Sequence, residues 1–134
     1  MKELEMVSDI LELKFQHQQV ELSALIAKEK LLRSSINQLT HQEREAQVAI
    51  NSELQALGAD VMWKAWLGRT RTKLNMDLSV VLAQKEVAMR GTRRAFGKLS
   101  VAQELALKTA RRSAHDKRKS NLDRAMELSL LKRN

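Results

Sequence analysis

From Leu4 to Leu57 apolar residues recur at heptad spacing, alternating steps of three and four, and no proline interrupts the run. Setting heptad a at Ser8, Phe15, Leu22, Glu29, Ile36, Glu43, Ile50 and Leu57 places d at Leu4, Leu11, Gln18, Leu25, Leu32, Leu39, Ala46 and Glu53. Eleven of these sixteen positions are apolar in a chain that is 30% charged. A stripe held over about seven heptads specifies a helix that buries one narrow seam against another helix. Between seam positions the residues are mostly Gln, Glu, Lys, Ser and Arg, as a solvated face requires. Ile10, Leu13, Ile26, Leu31 and Val48 widen the stripe, either toward a third helix or into a broader contact with a second arm. Glu29, Glu43 and Glu53 interrupt it, as a polar register device or as positions that a thin two-helix seam leaves wet. Thr40-His41-Gln42-Glu43 fits a capping box, but the apolar phase crosses it unchanged, so the first arm is one helix.

At the middle of the chain the pattern changes. Leu57-Gly58 offers a helix stop, with Gly where a left-handed backbone is tolerated, and Asp60 can cap a new helix just beyond it. Val61, Met62, Trp63, Trp66 and Leu67 are spaced for one short amphipathic helix. Gly68 is expected to end it, and Thr70 or Thr72 to start a second arm. That arm carries a seam of smaller residues, Leu74, Leu78, Val81, Lys85, Ala88, Thr92, Ala95, Leu99, Ala102 and Ala106, with Leu82, Met89 and Phe96 beside it. Beyond Ala106 the stripe drifts through Leu107, Ala110, Ala114 and Leu122 to Met126, and Phe96-Gly97 is the expected kink. The resulting fold class is all-α: a long two-helix antiparallel coiled-coil hairpin with a short helical tip, one domain over 1–134. Arm one spans about 3–57, the tip about 58–71 and arm two about 72–131. At 1.5 Å per residue such arms make a rod ~80–90 Å long, with the termini at one end.

Composition agrees. No proline, little aromatic content and much Ala, Leu, Glu, Gln, Lys and Arg favour extended helix over a broad core. Absence of cysteine removes disulfide and thiolate chemistry and fits a reducing compartment. The N-terminus has acids where a signal peptide needs an apolar run, and no window approaches a membrane span, so a cytoplasmic protein is expected. The net charge of +8 is unevenly placed: residues 1–57 hold 6 Lys/Arg against 9 Asp/Glu, and 58–134 hold 18 against 7. Opposed charge helps the arms pair in register, and the excess on the second arm attracts acidic partners.

No catalytic constellation emerges. Gly91-Thr92-Arg93-Arg94-Ala95-Phe96-Gly97-Lys98 is superficially like a phosphate-binding loop, but its spacing is one residue too long and Leu99 stands where Ser or Thr should be. His17, His41 and His115 are far apart; His17 with Glu21 and His41 with Glu45 make i,i+4 surface pairs rather than a metal site. A two-helix hairpin lacks the dry pocket that catalysis needs, so neither enzyme activity nor a cofactor is expected. Interaction surfaces remain. At the tip, Met62, Trp63, Trp66 and Leu67 carry more apolar surface than two helices easily hide, with Arg69 and Arg71 at its base. On the second arm Arg90, Arg93, Arg94, Arg111 and Arg112 form basic rows, read either as docking surfaces for anions or as solvated faces. Aromatic residues are not interleaved with these rows, which argues against nucleic acid.

A proline-poor, cysteine-free, basic chain patterned as one antiparallel hairpin resembles the FliJ/YscO proteins of flagellar and type III secretion export. It is also similar to the central-stalk hairpin of rotary ATPases. The resemblance lies in length, pattern and charge rather than in a motif. It implies a non-catalytic stalk or adaptor contacting a ring ATPase and an export-gate or chaperone component. Another coiled-coil adaptor or chaperone, or a basic protein of nucleic-acid or membrane surfaces, is the alternative. Association of copies through leftover stripes stays open.

Overall fold

The computed structural model describes residues 2–49 and 58–133. Two helices account for nearly all of them: α1, Lys2–Ala49, and α2, Ala59–Arg133. The two pack against each other as an all-α helical hairpin, as the periodicity predicts. Ile50, Glu53 and Leu57, the last seam positions expected of the first arm, lie outside the described residues.

The predicted seam of α1 is the one that is covered. Leu4, Ser8, Leu11, Phe15, Gln18, Leu22, Leu25, Glu29, Leu32, Ile36, Leu39, Glu43 and Ala46 are buried or half-buried, while nearly every residue between them is exposed. No break occurs at Thr40; its hydroxyl instead donates back to the Ile36 carbonyl at 3.0 Å. That bond satisfies the side chain within the helix, so it does not compete for an N-cap.

The second half needs a correction. Gly68 does not end a tip helix, and neither Thr70 nor Thr72 starts a new one: α2 runs unbroken from Ala59. The Thr72 hydroxyl donates to the Gly68 carbonyl at 2.9 Å inside that helix. One glycine costs a helix interior only ~0.5–1 kcal/mol. Here the flanking burial outweighs it, because Asp60, Leu67, Leu74, Val81, Ala88, Ala95, Ala102 and Thr109 fall at sevenfold spacing and all are covered. Among the described residues the reversal is marked by Gly58, whose φ of 75° is the left-handed conformation expected there. Its carbonyl accepts the first bond of α2, from the Met62 amide at 3.3 Å. Asp60 sits in the first turn, where negative charge suits a helix N-terminus, and reaches Lys64 at 3.2 Å. The helix also passes through Phe96-Gly97 without interruption.

By contact the chain divides into two units. In Gln18–Thr92 the pairing is antiparallel, with Glu29 meeting Lys85 and Glu43 meeting Arg71. The other unit joins the chain up to His17 with the chain from Arg93 onward. There the Phe15 and Phe96 rings meet with centroids 5.5 Å apart, tilted at 50°. α1 supplies its residues 2–17 to that unit, whereas α2 supplies 93–133. The excess length has no partner among the described residues: from Ala110 to Lys132 every side chain is exposed.

Candidate functional site

Both seam glutamates among the described residues, Glu29 and Glu43, have partners. Glu29 accepts hydrogen bonds from Lys85 Nζ at 3.0 and 3.3 Å, and Lys85 is itself the charged interruption of the α2 seam. Arg33 approaches the same carboxylate at 3.8 Å from one turn along α1. Glu43 accepts a hydrogen bond from the Arg71 guanidinium. Each pair is partly covered, so the charges interact more strongly than at an open surface but still meet water. A helix slid by one heptad would bring Thr92 or Leu78 opposite Glu29 and break both pairs, so the two contacts favour the present register of this unit. Glu53 lies outside the described residues.

Among the tip candidates the structure separates buried from accessible. Leu67 is only 2% exposed and belongs to the seam, not to a binding surface. Trp63 is half-buried, and its ring stacks on that of Trp66 with centroids 5.2 Å apart and planes 18° apart. Trp66 remains 43% exposed and Met62 75%, next to an exposed Val61. An apolar patch of Val61, Met62 and Trp66 is therefore accessible at the start of α2. Arg71 is engaged with Glu43, whereas Arg69 is exposed and borders a shallow strip with Ala65, Gly68, Thr72, Lys73 and Met76.

The basic rows are solvent-facing. Arg90, Arg93, Arg94, Arg111 and Arg112 are all exposed. Arg90 leans on Glu86 at 4.0 Å, one turn back, and Lys108 on Glu104 at 3.4 Å. Among the described residues Arg94 and Lys98 have no ion-pair partner. His41 touches Glu45 at 3.1 Å, the surface pair its spacing predicts. Among the described residues no group of three or more His, Asp or Glu could hold a metal ion, and no helix is long and apolar enough to cross a membrane.

One surface was not singled out by sequence reasoning. Between the start of α1 and the stretch of α2 after Arg94, a groove of about 500 Å³ is lined by Leu4, Val7, Leu11, Arg94, Gly97, Lys98, Val101, Ala102 and Leu105. The available signal was Val7, Val101 and Leu105, apolar residues standing one place off the seam, with a glycine between two cations. No family model matches the chain, and no curated protein or solved structure is significantly similar to it.

Proposed function

We infer that this chain is a non-catalytic helical stalk or adaptor that engages protein partners, and that its partner system is a flagellar or type III export apparatus with a ring ATPase. The observation that carries the reading is the unpartnered end of α2. Residues 110–132 lie in one helix, with Leu122, Met126 and Leu130 on one row and Arg111, Arg112, Lys117, Arg118 and Lys119 in the turns before it. This stretch buries nothing against the other described residues, and exposed apolar surface on a helix is a feature of interaction sites. By resemblance to export and rotary stalks, this end is assigned to the ATPase ring. The stacked Trp63 and Trp66 with Met62 are assigned to the second component, since large rigid aromatics dominate interface energy.

The test uses the export ATPase encoded nearest this chain's gene. The full chain should bind it, a chain ending at Thr109 should not, and a Trp63→Ala, Trp66→Ala chain should bind it while losing an export-gate or chaperone partner. Reversal of Arg111 and Arg112 should weaken ATPase binding without loss of helicity, and added salt should act in the same direction. ATPase binding that survives removal of residues 110–133 but not removal of the tryptophans would reverse the two ends. No ATPase binding by any form would leave a coiled-coil adaptor of another system.

A further inference from the structure

We propose that the groove between Leu4–Leu11 of α1 and Arg94–Leu105 of α2 is a docking site for an acidic amphipathic helix of a partner protein. Its floor is apolar: Leu4 and Leu11 are half-buried, Ala102 is buried, and Val7, Val101 and Leu105 rise from it with about half their surface exposed. Gly97 adds no side chain, and a Cβ placed there would meet nothing within 4 Å. A neighbouring backbone can therefore approach α2 closely at that point. The two charged groups lining the groove, Arg94 and Lys98, are both cations, and neither has an ion-pair partner among the described residues.

These features select the occupant. From Arg94 to Leu105 the groove follows α2 for ~16 Å, or about three helical turns, which suits an elongated ligand. The walls are helices whose backbone groups are bonded internally, so they offer no edge to an extended strand. An occupant must satisfy its own backbone bonds while presenting an apolar stripe, and a third helix does both. Arg94 and Lys98 are one turn apart, so carboxylates at i and i+4 on the incoming helix would meet both cations. A lipid surface fits less well, since the floor at Leu4 and Ala102 is recessed between the two helices. The site is separate from the tip and from residues 110–132, so its test involves no ATPase and its failure leaves the stalk reading untouched.

The probe is a synthetic fluorescent peptide helix with Leu at i, i+4 and i+7 and Glu flanking that stripe, compared with a counterpart carrying Lys for Glu. Binding to the full chain is measured by anisotropy. The Glu peptide should bind at least roughly tenfold more tightly than the Lys peptide, because like charges juxtaposed across an interface are costly. Gly97→Leu should abolish binding while leaving the circular dichroism melt at or above that of the parent, since leucine favours helix and the space at that position is open. If that variant fails to fold, the Arg94→Glu, Lys98→Glu chain, altered only at exposed positions, should invert the preference toward the Lys peptide. Equal binding of both peptides, binding of neither, or indifference to both variants overturns the proposal. So does a concentration-dependent dimer lost in Gly97→Leu, which would make the occupant a second copy. Capture of phosphatidylserine vesicles through Arg94 and Lys98 without peptide binding would assign the groove to a membrane surface instead.

Discussion

Between Leu67 and Ala106, α2 turns a residue inward at nearly every turn; between Ala110 and Lys132 it turns none. The two stretches are built from the same residues. Both are basic, both carry leucine and methionine, and Leu122, Met126 and Leu130 are as apolar as Leu74, Leu78 and Val81. What differs is the neighbour. Leu74, Leu78 and Val81 lie in a unit that holds α1 from Gln18 onward, whereas residues 110–132 continue beyond the few turns of α1 in theirs. An apolar residue on a helix is a candidate for burial, and the opposing element decides whether it becomes buried.

The largest effect is expected from Leu67→Ala. With 2% exposure, truncation of this side chain should cost ~2–3 kcal/mol, the lower part of the range for buried leucines because a two-helix seam is thin. Leu122→Ala, in the unpartnered stretch, should change stability by less than ~0.5 kcal/mol. Equal effects from the two, measured by urea unfolding, would erase the contrast.

Next in size is the polar seam. Glu29→Ala leaves Lys85 without its partner in a partly covered position and should cost ~1–2 kcal/mol, below the figure for a fully buried pair. The double exchange Glu29→Lys, Lys85→Glu should recover most of that loss. Failure to recover would mean that the register does not depend on this contact.

The glycines should move stability in opposite directions. Gly58→Ala forces a left-handed backbone on an L-residue and should cost ~1–2 kcal/mol. Gly68→Ala, inside the helix where an added Cβ meets nothing within 4 Å, should add ~0.5–1 kcal/mol. Stabilisation by Gly58→Ala would contradict the left-handed conformation of that residue, and destabilisation by Gly68→Ala would contradict the continuous helix that begins at Ala59.

Ending the chain at Thr109 should also shift stability little for so large a removal. No side chain between Ala110 and Lys132 is covered, so the unfolding free energy should fall by less than ~1 kcal/mol while the helical signal drops with the length removed. A fall of several kcal/mol would show that this stretch is packed in solution.

The seam was readable because heptad phase is a local property. Each of Leu4 through Ala46 is placed by its own neighbours three and four residues away, and all thirteen assigned positions that are described are covered. Pairing across the hairpin is not local. Glu29 and Lys85 stand 56 positions apart, and nothing near either residue announces the other, so Glu29 read as an interruption and Lys85 as one more seam position. Gly68 misled for a related reason: a glycine beside threonines is a helix stop only when no seam continues past it, and here Leu67 and Leu74 belong to one stripe. The groove at Gly97 escaped notice because its walls come from both ends of the chain. Of the candidate surface, exposure of the basic rows was legible from the charge pattern. The different fates of Leu67 and Trp66, adjacent in sequence, depend on which side of α2 faces the seam.

The stretch from Ala110 to Lys132 also bears on how the molecule can be observed. Its amide protons are held by helical bonds alone, with no tertiary cover, so they should exchange with solvent through brief local fraying, far sooner than those near Leu39 or Leu67. Trypsin, which cuts beside lysine and arginine, should find its first sites there for the same reason. Any molecule that settles on this helix would slow both processes at the residues it covers. The free end is thus a built-in reporter: deuterium uptake or a proteolysis ladder, read residue by residue, would register the arrival of a partner before that partner had been identified.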